Sequence, residues 1–413
     1  DHHPENMVYG VYVTSTIARG AIKNFQLNEA KDAPGVLEII THLNCPALPG
    51  YNPWAKDPNK MGFEWRGLKV FHKNLVHHYG QPIAMVVATT WEKAVKAASL
   101  VKVEYVKEEA ESDFDRLRKD PSKLKPAGEY KRGEVDAYKN AEVFVENEYY
   151  MPIETHNPIE LHATIAHWEA DDKLLVYDKS QGPKGTQSEL ARLFDIDPKN
   201  VRVITKFLGG AFGSSLRSWP HVPAACIAAK MVKRPVRVQL TRRQMFTMVG
   251  YRPMAWQKIG VGATKEGKLT GITHHAISNT SRYEDYREGI VNASHYLYEC
   301  PNVNTSYKIL PLDVNTPTWM RGPGEATGAF ALECILDELA YKLNMDPVEL
   351  RIKNYAVLHP QSKLPWSSKF LRECYDKGRE MIGWSGRPAT PRSLTENGKL
   401  IGYGMGGGVF GAS

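Results

Sequence analysis

The sequence predicts a protein of the α+β / mixed α/β class, with a smaller N-terminal α+β domain ahead of a larger mixed α/β domain. Its 413 residues correspond to two or three domains at roughly 150 residues each. Short β-branched runs alternate with helix-like segments along most of the chain. Between two such regions, residues 111–131 carry charges of both signs, two prolines and few apolar side chains, which predicts a charged linker.

The predicted N-terminal domain covers residues 1–110. Residues 8–18, VYGVYVTSTIA, alternate in the manner of a strand. Residues 33–46, APGVLEIITHLNCP, form a β-rich run that follows a Pro-Gly turn. Residues 82–109 predict a strand, a helix and a second strand, because a helix-like spacing of apolar residues lies between two β-branched runs.

The predicted larger domain covers residues 132–405. Strands are predicted at residues 142–154, 173–180, 200–213 and 236–242, and helices at residues 185–196 and 221–235. The clearest helix is marked by the i, i+3, i+4, i+7 spacing of Leu332, Ile335, Leu336, Leu339 and Leu343.

A further helix is predicted to begin after Asp346, with Asp346 as its cap, Pro347 in its first turn and Glu349 reaching back as in a capping box. The glycine-rich residues 402–413 predict the approach to another strand. Neither the first residues nor the last resemble natural chain ends, so we expect that the sequence has been cut or left incomplete at both termini.

Composition excludes several classes of protein. Lys plus Arg is 53 and Asp plus Glu is 46, and the net charge of +7 is spread along the chain. This favours small anionic partners such as phosphates rather than nucleic acid. No apolar run approaches the roughly 18 residues of a membrane span. The opening residues show no signal-peptide pattern, which leaves a cytoplasmic or a periplasmic location open.

The cysteines are scattered and odd in number. They are Cys45, Cys226, Cys300, Cys334 and Cys374, and no two of them form a CxxC pair. Iron–sulfur clusters and zinc ribbons require grouped thiolates, so the sequence predicts neither within this chain.

Two glycine-containing segments are candidates for a binding site. In residues 206–215, KFLGGAFGSS, the glycines permit positive φ and close approach to a ligand, and the backbone N–H groups could bind an anion. The alternative is a tight turn with a buried Phe212. In residues 318–333, TWMRGPGEATGAFALE, Arg321 lies just before a long helix, where an anion site is expected. The alternative is an ordinary cap with Arg321 as a surface charge.

Two more segments carry candidate side chains. Gln181 lies where a strand ends and a helix begins, and its amide offers both a donor and an acceptor. A loop residue without a binding role is the alternative. His156, Glu160 and His162 could suggest a metal site, although the segment contains no HExxH and a structural role is favoured.

Taken together and in this order, these segments resemble the molybdenum-binding large subunit of the xanthine oxidase family, and among its members the bacterial aldehyde oxidoreductase and xanthine dehydrogenase molybdopterin-binding subunits. The resemblance is carried by THNPIELH at 155–162, GGAFG at 209–213 and MRGPGEATGAFALECILDELAYKLNMDPVELR at 320–351. It implies a hammerhead-like domain at 1–110, a first molybdopterin-binding domain at 132–405, and the start of a second, truncated one at 406–413.

The resemblance also implies the site. The residues expected to contact the cofactor are Gln181, Gly210, Ala211, Phe212, Gly213 and Arg321. No side chain of this chain is expected to bind the metal directly, because the cofactor's own dithiolene sulfurs hold it. Gln181, Phe212 and Arg321 then form the surrounding shell, with Arg321 as the catalytic residue beside metal and substrate. The family's general-base glutamate belongs to the second molybdopterin-binding domain and is not expected in this chain.

The activity that the resemblance implies is oxidation of an aldehyde to a carboxylic acid with oxygen taken from water. The expected cofactor is molybdenum-molybdopterin, with or without a cytosine dinucleotide. Electrons would pass to iron–sulfur clusters and FAD on partner subunits or domains. Expected partners are therefore a C-terminal molybdopterin-binding domain or subunit, an iron–sulfur subunit, an FAD subunit and a small aldehyde. Nucleic acid is not an expected partner, and no membrane span is expected.

The sequence departs from the family pattern within the glycine loop. The family's GGGFGGK becomes GGAFGSS, with Ala211 in place of a glycine and Ser214 and Ser215 in place of Gly-Lys. Leu216 and Pro323 stand where purine-hydroxylating members have a glutamate and a phenylalanine. A purine pocket is therefore not expected. Three alternatives stay open: an N-heterocycle hydroxylase, a non-catalytic relative of the family, and an α/β nucleotide-binding domain without metal.

Overall fold

The computed structural model describes residues 2–51 and 68–410. The strands are β1 (Val8–Thr14), β2 (Gly20–Gln26), β3 (Val36–Ile40), β4 (Leu75–Val76), β5 (Pro82–Ala88), β6 (Lys102–Lys107), β7 (Lys125–Arg132), β8 (Val143–Met151), β9 (Ala163–Ala170), β10 (Lys173–Asp178), β11 (Val201–Ile204), β12 (Val236–Gln239), β13 (Ala255–Ala263), β14 (Leu269–Ser281), β15 (Asn302–Leu312), β16 (Thr395–Glu396) and β17 (Lys399–Leu400). The helices are α1 (Asn28–Lys31), α2 (Trp91–Leu100), α3 (Phe114–Leu117), α4 (Pro183–Phe194), α5 (His221–Val232), α6 (Arg242–Met248), α7 (Ala293–Tyr296), α8 (Glu325–Lys342), α9 (Pro347–Lys353) and α10 (Leu371–Met381).

A seven-stranded mixed sheet joins the two regions that the sequence divides. Its strand order is β11-β10-β9-β12-β1-β5-β3. The join is a parallel pair, β1 with β12, in which Val8 lies opposite Val236. One hydrophobic core includes both of these side chains. The predicted boundary near residue 110 therefore does not coincide with a break in this sheet. Pairing between strands more than 200 residues apart leaves no local pattern from which it could be predicted.

A five-stranded sheet, β7-β15-β14-β13-β8, supports the second core. Helix α8 packs against it and buries the predicted periodic residues Leu332, Ile335, Leu336 and Leu339. Helix α9 begins as expected, with the Asp346 carboxylate accepting from the N–H groups of the next turn. The capping-box expectation for Glu349 is wrong, because its carboxylate pairs with Arg379, 2.6 Å away.

The segment predicted as a charged linker, residues 111–131, contains regular structure. Helix α3 buries Phe114 and Leu117 in a small cluster with apolar residues of β15. Strand β7 pairs antiparallel with β15 as an edge strand of the five-stranded sheet. The linker interpretation is thus wrong for these residues. The residues of β7 are exposed or only half-buried, so the strand lacks the apolar alternation that reveals most strands.

The glycine-rich end of the chain forms no strand between residues 401 and 410, contrary to the prediction. Of the segment predicted to start a second molybdopterin-binding domain, 406–413, the last three residues lie outside the described residues. Gly407 is fixed to the second core, since its N–H donates to the Glu333 carboxylate at 2.7 Å. Among the described residues, no helix combines the length and apolar character needed to cross a membrane.

Several histidines are buried in the folded protein. Burial lowers the pKa of His78 to about 4, of His221 to about 3, of His274 to about 3 and of His295 to about 4. The folded protein therefore binds fewer protons than the unfolded chain below about pH 6.5. Asp178, whose pKa burial raises to about 6, acts in the opposite sense, as do Glu288 and Glu325, but the described residues include ten histidines with a lowered pKa.

We expect the free energy of unfolding to fall as the pH is lowered from 7 to 5. In this range the histidines become protonated in the unfolded chain but stay neutral in the folded protein. Each buried histidine contributes up to about 1.4 kcal/mol per pH unit. Urea unfolding at pH 7, 6 and 5 measures this slope. A His274→Gln variant should show a shallower slope than the parent, and an unchanged slope in that variant would contradict the assignment.

Candidate active site

The glycine loop begins after β11, and three of its residues between positions 210 and 213 have a positive φ. The φ angles are 88° at Gly210, 58° at Phe212 and 111° at Gly213. A phenylalanine in this region is strained, and such strain is most often found where a loop serves a site. The Phe212 side chain is 42% exposed, so the alternative of a tight turn around a buried Phe212 is wrong. Its neighbours Ala211 and Gly213 are buried.

Gln181 fixes the end of this loop from the segment before α4. Its backbone N–H donates to the Ser215 carbonyl at 2.9 Å. Its side-chain oxygen accepts from the N–H groups of Gly213 at 3.1 Å and Ser215 at 3.2 Å. Within the described part of the chain, the amide nitrogen of Gln181 has no hydrogen-bond partner. The side chain therefore organises the loop with one atom and offers donors to a ligand with the other.

Arg321 reaches the same loop from the segment before α8. Its backbone N–H donates to the Phe212 carbonyl at 3.2 Å. Its guanidinium carbon lies 5.4 Å from the centre of the Phe212 ring, within cation–π range. A Cβ placed on Gly213 would lie 2.3 Å from the Trp319 carbonyl oxygen, so only glycine allows the two segments to approach this closely. The structure thus brings together all of the sequence-predicted site residues.

Arg252 is a residue of the site that the sequence did not indicate. It is buried, and its Nη2 donates to the carbonyls of Met320 at 2.8 Å and Arg321 at 2.9 Å. Its Nε donates to the Glu154 carboxylate at 2.7 Å. Arg252 therefore holds the backbone on which the Arg321 guanidinium is carried. Nothing in the sequence around it distinguishes it from a surface arginine, so no local signal could have found it.

A buried carboxylate lies beneath this backbone at the start of α8. Glu288 accepts from the Thr327 hydroxyl at 3.0 Å, and the nearest Arg252 nitrogen is 3.9 Å from it. Burial raises the pKa of Glu288 above its ordinary value, although Arg252 opposes this shift. Arg252 and Glu288 together form a charged support under the loop that carries Arg321.

The three candidate metal ligands have separate structural roles. His156 Nε2 donates to the Trp319 carbonyl at 2.7 Å, and His162 Nε2 lies 3.3 Å from the Ser215 hydroxyl oxygen. The Glu160 carboxylate accepts from the Gly209 N–H at 2.6 Å. In residues 2–51 and 68–410 no group of three His, Cys, Asp or Glu side chains is placed to hold a metal ion. These three residues support the two loops of the site.

The surroundings of the loop are apolar on the side of Leu216. Phe212 and Leu216 are exposed over somewhat less than half of their surfaces, at 42% and 48%. The next residue, Arg217, is directed away from them into a buried, two-bond pair with Glu284, at 2.7 and 2.9 Å. Its charge is thereby neutralised, and Arg321 is the cation that contacts the exposed Phe212 ring.

Comparison with known proteins shows the family to which the chain belongs. Residues 118–355 match the molybdopterin cofactor-binding domain, which places the chain among proteins that bind this pterin. Residues 1–109 match the a/b hammerhead domain of aldehyde oxidase and xanthine dehydrogenase. The chain belongs to the xanthine oxidase family. The resemblance noted in the sequence and the mixed α/β fold with its hammerhead domain are confirmed.

Individual relatives agree with this assignment. The chain is 34% identical over 408 residues to the aldehyde oxidoreductase molybdenum-binding subunit PaoC of Escherichia coli K12, covering 98% of this chain and 54% of that protein. It is 30% identical over 409 residues to the putative xanthine dehydrogenase molybdenum-binding subunit XdhA of the same organism, covering 94% and 54%. The solved aldehyde oxidoreductase of Desulfovibrio gigas has the same fold, with a TM-score of 0.79 and 24% identity over 93% of this chain and 44% of that one. The chain thus spans about half the length of the curated relatives it matches.

Proposed function

We propose that Gln181, the loop at residues 209–213 and Arg321 form one wall of a molybdenum-cofactor site in a hydroxylase that oxidises an aldehyde to a carboxylic acid with oxygen from water. One observation carries this proposal. Hydrogen bonds join three segments that are far apart in sequence: the Gly213 N–H donates to the Gln181 side chain, and the Arg321 N–H donates to the Phe212 carbonyl. The names of PaoC and the Desulfovibrio gigas enzyme support an aldehyde as substrate.

The donor set at this wall fits a pterin whose metal is held by the pterin's own sulfur atoms. The wall offers an amide nitrogen from Gln181, a guanidinium from Arg321 and backbone with no room for a Cβ at Gly213. The two side chains can donate hydrogen bonds, and the glycine backbone lets a ligand come close, but none of these groups is a metal ligand. They therefore suit contacts with the pterin and with the groups bound to its metal. When bound, the cofactor supplies two-electron redox chemistry and oxygen transfer. We infer that Gln181 and the loop backbone hold it and that Arg321 lies between it and the substrate.

The residues of this chain would contribute binding, orientation and charge. The Arg321 guanidinium, held through its own backbone by Arg252, is a preorganised donor for negative charge that develops on an aldehyde oxygen. The exposed Phe212 ring and Leu216 offer an apolar surface to the rest of the substrate. Glu160 is engaged by the Gly209 N–H, so we assign the general base to a glutamate outside this chain.

The remaining parts of the enzyme are proposed from the relatives. PaoC and XdhA are both named as molybdenum-binding subunits, which supports further subunits here. Because the five cysteines are scattered, we assign iron–sulfur clusters and FAD to partner subunits or domains. We also assign the opposite wall of the site to a second molybdopterin-binding domain. The pterin could carry a cytosine dinucleotide, and the name of XdhA keeps N-heterocycle hydroxylation as the second candidate function.

The proposal is tested on the intact protein purified from cells that make the cofactor. We expect about one molybdenum per protomer, release of a fluorescent pterin on denaturation, and oxidation of aldehydes by an added dye. In H₂¹⁸O the label should enter the carboxylic acid. Oxidation of an N-heterocycle without aldehyde turnover would instead establish the second candidate. Absence of molybdenum from such a preparation would overturn both and identify a non-catalytic relative.

A further inference from the structure

A cavity of about 400 Å³ opens on the seven-stranded sheet, and neither Phe212 nor Arg321 is among the residues that line it. Its floor is formed by Arg237 of β12, Ile165 of β9 and Tyr177 of β10, which lie directly opposite one another across three neighbouring strands. Lys179, just after β10, and Lys206, just after β11, complete its rim. The described residues therefore place three cationic side chains around one cavity.

None of these three cations has a carboxylate partner within 4 Å in the part of the chain that the structure describes. The Lys179 ammonium donates to the backbone carbonyl of Glu160 at 2.8 Å. Arg237 donates to the Gln239 side chain at 2.7 Å, and the Lys206 ammonium lies 5.6 Å from the centre of the Phe207 ring. None of these contacts is an ion pair, although the carboxylates of Glu160 and Asp178 also line the cavity and favour the charged form of Lys179.

The acidic groups at the cavity are engaged elsewhere. The Glu160 carboxylate accepts from the Gly209 N–H at 2.6 Å. Asp178 is buried and accepts from the Thr164 hydroxyl at 2.5 Å. Burial raises the pKa of Asp178 to about 6, so this carboxylate is still mostly ionised at pH 7. Neither carboxylate compensates the three cations through a direct ion pair.

Lys179 is the most informative of the three because it is only 4% exposed. Burial of an ammonium group costs free energy unless an anion and further hydrogen bonds compensate it. Burial lowers the pKa of Lys179 to about 8, which still leaves it charged at pH 7. Lys179 forms no direct ion pair within the described residues, and its bond to the Glu160 carbonyl uses only one of its three N–H donors, so the ammonium group can donate to an anion in the cavity.

We propose that this cavity binds the phosphate group of a small aromatic phosphate ester, at a site distinct from the cofactor wall. Three cations match a doubly charged phosphate better than a singly charged carboxylate. The Phe207 ring, which is 75% exposed, supplies a flat apolar surface for the ring of the ester, whereas one face of Tyr177 is already stacked on His2, with 4.0 Å between the ring centres. The cavity volume is sufficient for a ligand of this size.

The test uses phenyl phosphate as the probe and the intact protein, with its cofactor bound and after its removal. We expect saturable binding by calorimetry in both forms, with a Kd below about 1 mM, and a matching rise in Tm. Benzoate, which has the same ring but one charge, should bind more weakly. Tighter binding of benzoate would overturn the phosphate assignment. Binding only to cofactor-free protein would show that the cavity serves the cofactor, and no saturable binding would overturn the site itself.

Two variants and one control separate a ligand role from a structural role. Lys179→Met should abolish binding while the Tm of the ligand-free protein stays equal or rises, because an uncompensated buried charge is removed. Arg237→Gln should weaken binding about tenfold. Lys184→Gln, an exposed lysine of α4 outside the cavity, should leave binding unchanged. A lower Tm in Lys179→Met together with unaltered phenyl phosphate binding would show that Lys179 is structural and overturn the inference. The outcome does not depend on whether the protein oxidises aldehydes.

Discussion

Replacing Arg351 with alanine is expected to lower the free energy of unfolding by about 3–5 kcal/mol, as for other buried ion pairs from which one partner is removed. The Arg351 side chain is fully buried. Its Nε donates to the Glu333 carboxylate and its Nη1 to the Asp337 carboxylate, each at 2.7 Å. Further bonds reach the carbonyls of Glu333 and Pro347, both at 2.9 Å. The guanidinium thereby connects α8 to α9.

The effect is large because, in the described residues, no other cation pairs with the Glu333 carboxylate. Its carboxylate also accepts from the Tyr298 hydroxyl at 2.8 Å and the Gly407 N–H at 2.7 Å. Without Arg351 this carboxylate would stay buried with its charge uncompensated, which is the costly state for a charge of this kind. The segment around Gly407 should loosen at the same time, since its attachment passes through Glu333. Chemical denaturation measures the first effect and amide hydrogen exchange the second.

A double-mutant cycle separates the charge from the packing. Arg351→Met combined with Glu333→Leu should destabilise much less than the sum of the two single changes, because no buried charge is then left alone. Arg379→Met is the matched control: this arginine pairs with Glu349 and Asp376 at the surface, and its loss should cost less than about 1 kcal/mol. Equal losses for Arg351→Met and Arg379→Met would show that the buried network contributes little.

The sequence predicted those parts of the fold whose causes are local. Helix α8 buries Leu332, Ile335, Leu336 and Leu339 at the helical spacing seen in the sequence, and Asp346 caps α9 through atoms one turn away. Both features could therefore be predicted from local spacing. Strand β7 was missed because an edge strand exposed on both sides has no apolar alternation. The β1–β12 pair was missed because its register depends on a core assembled from distant segments.

The same distinction explains the candidate site. Gln181 and Arg321 could be identified because each precedes a helix and lies beside glycines, features that are visible in sequence. The roles of Arg252 and Glu160 could not be identified in this way. Both residues act through hydrogen bonds to carbonyl and N–H groups of segments far along the chain. The sequence suggested Glu160 as a possible metal ligand, whereas its carboxylate holds the glycine loop.

Replacing Gly213 with alanine is expected to lower kcat/KM for an aldehyde by at least about 100-fold, since displacements of about 1 Å in a catalytic site can cost this much. The new Cβ would lie 2.3 Å from the Trp319 carbonyl oxygen and 2.8 Å from its carbon, so backbone must move. The φ of 111° at this position adds strain for any residue with a side chain. Both effects push the loop away from the segment that carries Arg321.

Gly182→Ala is the matched control, because it places the same methyl group beside Gln181 without a clash. Its φ is −139°, and the nearest atom to the new Cβ is the Leu216 carbonyl oxygen at 3.8 Å. Activity of this variant should stay within about twofold of the parent, since nothing has to move. Molybdenum and pterin content, measured for both variants, distinguishes loss of the cofactor from a misplaced Arg321. Full activity and full molybdenum in Gly213→Ala would contradict the assignment, because the contact between the two segments would then be dispensable for both binding and turnover.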